Sequence, residues 1–469
     1  MVLETVTDGV ARALGTVTAP ITGLFGDPVI RLGVTGLSRA GKTVFITSLV
    51  ANLLDRGRMP QLLAASSGSI QHAYLQPQPD DTLPRFDYET HLAALTGTTP
   101  DWPESTRAVS ELRLSMRVQP QGMLGAISGP KTVHLDIIDY PGEWLLDLGL
   151  LEKSYAEWSR EVLARLEKRP FGAAFLETAA ALDPAADFAE PQAKALAQAF
   201  TAYLQAARGK GFADCTPGRF LLPGELEGSP VLTFGPLAGE GGRRSLAREM
   251  ERRYEAYKAK VVKPFFRTHF ARLDRQVVLV DVLGAILEGP KAVEAMRQTM
   301  ADILSAFRPG RNAWLSSLLL GKRVDRILFA ATKADHLHHE QHARLTAITE
   351  ALIREARDRA LFAGAETHAL SLASLRTTTE TTLDHEGQTL AAVAGTTETG
   401  KRAAFYPGEL PSDPARILNP AREAAEAWPF GDVEVMRFRP PVQTIAPGDG
   451  PPHIRLDRAA EFLMGDRLR

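Results

Sequence analysis

Short apolar runs recur along the chain, separated by longer stretches whose apolar residues fall at helical spacing. Residues 30–35, 132–138, 276–283 (QVVLVDVL), 324–331 (VDRILFAA) and 368–372 are mostly apolar, as strands buried on both faces are. Residues 111–118 (ELRLSMRV) alternate polar and apolar. Gly122, Gly125, Gly129 and Pro130 separate them from 132–138, which predicts an antiparallel hairpin. Helical spacing marks 44–54, through Val44, Ile46, Leu49, Val50 and Leu53, and then 151–168, 191–207, 246–272, 291–307 and 340–361. The pattern predicts an α/β fold with a mostly parallel sheet and one antiparallel hairpin strand. Its expected divisions are an N-terminal helical arm (1–27), a first core part (28–144), an inserted helical domain (145–272), a second core part (273–379) and a C-terminal β-rich extension (380–469). Residues 59–105 read as an irregular insertion with one short helix near 88–95, and within the extension 390–396 and 433–438 alternate.

The first strand–helix junction carries chemistry. GLSRAGKT, Gly36 to Thr43, is a phosphate-loop pattern. Gly36 and Gly41 allow the tight backbone that aims N–H groups at a phosphate, and the helix dipole behind them favours an anion. Candidate nucleotide contacts are Gly36, Ser38, Arg39, Ala40, Gly41, Lys42, Thr43 and Val44, with Lys42 on the β and γ oxygens and Thr43 ligating Mg²⁺. The run 132–138 leads into Asp139-Tyr140-Pro141-Gly142, a DxxG pattern. There Asp139 would hold Mg²⁺ through water and the Gly142 N–H would sense a γ-phosphate. The run 324–331 leads into Thr332-Lys333-Ala334-Asp335, the [NT]KxD pattern of guanine recognition. Asp335 would accept from the guanine N1–H and 2-amino group, a donor pair that adenine lacks, while the Lys333 stem packs over the base. Ala373 and Ser374 follow the next strand, with the Ala373 N–H placed to read guanine O6.

Composition narrows the classes. With 54 Lys+Arg against 56 Asp+Glu the net charge is −2, so nothing argues for a nucleic-acid partner. Cys215 is the only cysteine, which excludes an intrachain disulfide and suits a reducing cytosol. The N-terminus lacks a signal-peptide pattern, and no apolar window of about 18 residues predicts a transmembrane span. The expected location is cytoplasmic, with room for peripheral contact at an inner membrane face.

Phosphate loop, DxxG and TKxD, in that order, resemble a G domain of the P-loop GTPase class with large inserted segments. The strings GVTGLSRAGKT, RFDYETHLAALTG, WPESTRAVSELRLSMR, DIIDYPGEWLLDL and RAAFYPGELP are similar to those of the YcjX-like family of bacterial proteins. The resemblance spans nearly the whole chain. It implies a protein that binds GTP or GDP with Mg²⁺, is linked with envelope and phage-shock stress responses, and has a membrane protein, YcjF, as a frequent neighbour and candidate effector. It also implies a switch-I threonine just before the hairpin, where Ser105 and Thr106 are both candidates; Thr106 would complete the Mg²⁺ shell. Glu143 stands where many GTPases carry a water-orienting Gln. A carboxylate there can polarise water but also repels a γ-phosphate. Arg39 and Arg107 are candidates for an arginine supplied in cis.

Two other readings find less support. His338 and His342 share a helix face, but His339-Glu340-Gln341-His342 is one residue short of HExxH, and an exposed helix start is expected. No GxSxG elbow occurs. The sequence therefore predicts a Mg²⁺-dependent GTPase acting as a nucleotide switch, slow without a partner. An ATPase or kinase on the same scaffold, or a nucleotide-bound scaffold with negligible turnover, stays open beside it.

Overall fold

The computed structural model describes residues 27–469 except 37–39, 105–107, 121–128, 211, 213, 270–271, 306–323, 355–356, 359–363, 424–427 and 429–435. Strands β1 (Val29–Gly36), β2 (Ile70–Gln76), β3 (Ser110–Val118), β4 (Lys131–Asp139), β5 (Arg275–Val280), β6 (Arg326–Ala331) and β7 (Glu366–Ser371) form one sheet, ordered β2-β3-β4-β1-β5-β6-β7. Five strands, β4-β1-β5-β6-β7, are mutually parallel. The β3–β4 pair is the predicted hairpin, and β2 joins β3 antiparallel. In register, Val34 faces Asp139, Gly36 faces Leu279, Val280 faces Ala331 and Ala331 faces Ser371. The carboxyl ends of the parallel strands therefore form one edge, and chain connections diverge to either side of β1, the place where open α/β sheets bind ligands.

The continuous apolar runs follow from burial on both faces. On β5, Val277 and Leu279 join the core beneath helix Lys42–Leu54, while Val278 and Val280 join the opposite core, shared with the helical segment. Phe45, Ile46, Leu49, Val50 and Leu53 of helix Lys42–Leu54 are all fully buried. Truncating one of them to Ala would cost about 2–5 kcal/mol.

Between β4 and β5 lie helices Tyr155–Glu167, Glu190–Gly209 and Leu246–Tyr257, among shorter ones. They close on an aromatic core in which Trp158 stacks on Tyr254 with ring centroids 5.0 Å apart. The predicted helix at 246–272 is interrupted by a π turn, Lys258–Val262, before helix Lys263–Thr268. The basic run it carries is partly turned inward. Arg253 is buried against Glu190 and Glu249, and the Lys258 ammonium donates to the Lys153 carbonyl.

Strand β2 corrects the irregular reading of 59–105. IQHAYLQ lies at the sheet edge with only Ile70 buried, so it carries no apolar run. The run 276–283 ends as a strand at Val280, because Asp281 caps helix Val282–Glu288 by accepting from the Gly284 N–H at 2.9 Å. The helix expected from 340 begins at His342, after a 3-10 turn, His339–Gln341.

Strands β8 (Thr378–His385), β9 (Gln388–Thr396) and β10 (Arg402–Phe405) form a separate antiparallel sheet. Residues 433–435 of the expected 433–438 strand, and 1–26 of the expected arm at 1–27, lie outside the described residues. Helix Leu456–Met464 returns to the main sheet, with Leu456, Leu463 and Met464 buried there. Arg275 on β5, itself buried, anchors it. Its guanidinium donates to the Leu463 carbonyl at 2.8 Å and pairs with Asp325 at 2.6 Å and Asp466 at 2.8 Å.

Candidate nucleotide site

Gly36 closes β1 where space is short. A Cβ there would sit 2.8 Å from the Leu279 carbonyl. Gly41, at φ 81°, turns the chain into helix Lys42–Leu54 in the left-handed region that glycine tolerates. Lys42 is half-buried and Thr43 buried at the first turn, and no acidic residue opposes an anion there. Ala40 is buried and Val44 half-buried. Ser38 and Arg39, and with them Ser105, Thr106 and Arg107, lie outside the described residues.

The DxxG segment meets this loop. Asp139 is buried at the end of β4, opposite Val34. The Tyr140 hydroxyl donates to Gln276 Oε1 at 2.5 Å, tying the segment to β5. A Cβ on Gly142 would stand 2.5 Å from the Gly36 carbonyl, so only glycine brings these two backbones so close. Thr43 and Asp139 offer hard oxygen donors, a chemistry that fits Mg²⁺.

Beyond Gly142 the chain enters the grip of the helical segment. Glu143 Oε1 pairs with the Arg208 guanidinium at 2.8 Å, and the Glu143 side chain is only 10 % exposed. The Arg219 guanidinium lies over the Trp144 ring at 3.2 Å. Asp147 accepts from the Gly218 N–H at 2.8 Å and from the Tyr257 hydroxyl. Burial pushes the Asp147 carboxyl up to about 7, partly opposed by those two hydrogen bonds. Arg208, Gly218 and Tyr257 carry no sequence signal linking them to the DxxG segment; tertiary packing alone brings them there.

On the far side of β1, Lys333 adopts a left-handed conformation (φ 59°) and its ammonium pairs with Asp281. Asp281 was missed from the sequence although it ends an apolar strand, as Asp139 does. Asp335 is buried. Its Oδ2 accepts from the Thr377 N–H at 2.8 Å and the Thr377 hydroxyl at 2.6 Å, while Oδ1 takes no hydrogen bond among the described residues. Thr377 was also missed, since three successive threonines show no pattern. The role given to the Ala373 amide does not hold. Its N–H donates to the Ile454 carbonyl at 3.0 Å, and its carbonyl accepts from the Ile454 N–H. The next residue, Ser374, is buried, and its amide takes no backbone carbonyl among the described residues.

The histidines separate. His342 is buried against the Ala334 and Leu337 carbonyls and Arg455; burial, then Arg455, lowers its pKa. Ligand atoms of His338, His339 and Glu340 lie within 4.8 Å of one another. Glu380 of β8 faces both imidazoles, 3.0 Å from His339 and 3.7 Å from His338. Ion pairing to β8 accounts for this group.

Phosphate loop, DxxG and TKxD thus stand at the ends of β1, β4 and β6, on one edge of a mostly parallel sheet with an antiparallel hairpin strand. That fold is the P-loop GTPase fold. Residues 30–468 match the model of the YcjX-like family, DUF463, and the chain belongs to that family. It is 38% identical over 461 residues to the Ras-like GTPase YcjX of Escherichia coli strain K12, covering 94% of this chain and 97% of that one. It is 35% identical over 470 residues to the Ras-like GTPase YcjX of Shewanella oneidensis strain MR-1, covering 94% and 95%. Among the described residues no helix is long and apolar enough to cross a membrane.

Proposed function

We propose that the chain binds GTP and GDP with Mg²⁺, hydrolyses GTP to GDP and phosphate, and uses the nucleotide state as a switch. The observation that carries the reading is the meeting of three elements at one sheet edge: the Gly41 turn with Lys42 and Thr43, Gly142 against the Gly36 carbonyl, and Asp335 held by Thr377. Membership beside proteins named Ras-like GTPase supports it.

In this reading Lys42 and the amides around Gly41 bind the β and γ phosphates. Thr43 and Asp139 would hold Mg²⁺, which when bound draws charge off the phosphate oxygens. Gly142 reports the γ-phosphate to the chain that follows it. Thr377 fixes the Asp335 carboxylate with Oδ1 left to guanine, the Lys333 stem covers the base, and the Ser374 amide replaces Ala373 as the reader of O6. Thr106 and Arg107 keep their proposed switch-I and cis-arginine roles. Output to a protein partner, at the membrane face and in the envelope stress response, belongs to the same proposal through the family resemblance.

Competition binding tests the base. GDP should displace a fluorescent guanine nucleotide at least about a hundredfold better than ADP, since adenine leaves the buried Asp335 without donors. Asp335→Asn should weaken GDP at least about tenfold and favour xanthosine diphosphate. Equal affinity for GDP and ADP in the wild type would support the ATPase or kinase reading instead.

A further inference from the structure

Glu143 sets an electrostatic problem. Rested on the GTPase reading above, it stands one residue past the glycine that meets the γ-phosphate, and two negative groups in a nearly buried place repel each other strongly. The structure shows how the chain meets this. Arg208, in the last turn of helix Glu190–Gly209, reaches across from the helical segment and pairs with Glu143 Oε1 at 2.8 Å. The joint is held from both sides. Gly218 packs so closely on the Glu143 carbonyl that a side chain at 218 would collide with it, and the Gly218 N–H donates to Asp147 at 2.8 Å. Glu143 is therefore fixed in a packed joint, and the Arg208 guanidinium, about a third exposed, meets it there.

We infer that Arg208 is a positioning and specificity residue of the nucleotide site: it neutralises Glu143 and so lets the site accept a nucleoside triphosphate as well as a diphosphate. The cis-arginine candidates read from the sequence, Arg39 and Arg107, belong to residues 28–144 of the chain, the first core part of the sequence reading. Arg208 comes from the inserted helices, which makes them part of the γ-phosphate site as well as a covering layer. It acts through Glu143 and need not touch the nucleotide.

The inference separates GTP from GDP, so the test is their affinity ratio. Binding of fluorescent GDP and of a fluorescent non-hydrolysable GTP analogue, both with Mg²⁺, is measured for wild type, Arg208→Ala, Glu143→Gln and the double variant. Arg208→Ala should lose about tenfold or more in affinity for the GTP analogue while GDP changes less than about threefold. Adding Glu143→Gln should restore the analogue affinity, since the uncompensated charge is gone. A structural role for Arg208 would lower both affinities, and Glu143→Gln would not repair them. An unchanged ratio in Arg208→Ala, or a loss that persists in the double variant, overturns the inference. GDP binding serves as the folding control. Should Arg208→Ala bind no GDP, the double variant and Glu143→Gln decide: both are predicted to bind the analogue at least as well as wild type, and weaker binding by Glu143→Gln overturns the inference. Failure of the wild type to bind either nucleotide would instead overturn the GTPase reading.

Discussion

Two glycines and one carboxylate carry most of what single residues contribute. Gly142 lies so near the Gly36 carbonyl that Gly142→Ala must push two segments apart. The variant should lose about 1–3 kcal/mol of stability by urea denaturation. It should also lose affinity for a GTP analogue while GDP binding is little changed; a loss shared equally by both nucleotides would remove the sensing role. Asp335 illustrates what sequence can and cannot reveal at this scale. TKxD identified the carboxylate, because the motif is local and sits at a strand end. Thr377, which orients it, is 42 positions away and is known only from the fold. Ala373 was misplaced for the same reason, since nothing local announces that Ile454 takes its amide.

Elements were legible in proportion to how completely they are buried. Strands β1, β4, β5 and β6 read as apolar runs because both their faces are covered, and so did the buried half of edge strand β7, Ala369 to Ser371, whereas the edge strand β2, polar and half-exposed, did not. The joint between the DxxG segment and the inserted helices was invisible, being made of Arg208, Gly218, Arg219 and Tyr257 from separate helices and turns. That joint is also pH-sensitive. The folded state holds Asp147 protonated up to about 7, while the unfolded chain releases that proton near 3.8. The stability this group contributes is therefore fully present below about 4 and is lost as pH rises through about 7. Asp147→Asn, neutral at every pH, should flatten the fall in urea midpoint between pH 5 and pH 8. An equal fall in wild type and variant would show that Asp147 is not the group responsible.

At the scale of the whole molecule, the C-terminal helix Leu456–Met464 is part of the G-domain core rather than an appendage. Arg275 holds it from the buried side. Arg275→Ala should cost about 3 kcal/mol in urea denaturation, the low end for a broken buried pair because Asp325 and Asp466 are half-exposed and rehydrate. It should also open the C-terminus to limited proteolysis; a destabilisation below about 1 kcal/mol would contradict the anchoring role. The phosphate-loop, DxxG and TKxD segments stand at one edge of the sheet, and the inserted helices grip the segment that follows Gly142. Turnover of GTP by that arrangement separates a GTPase from a nucleotide-bound scaffold. Phosphate release is measured under single-turnover conditions with Mg²⁺, for GTP and for ATP, in wild type and Lys42→Ala. Release from GTP at least about tenfold faster than in Lys42→Ala, with no comparable release from ATP, is expected of a GTPase. A wild-type rate no faster than that of Lys42→Ala would contradict the GTPase reading and leave a nucleotide-bound scaffold.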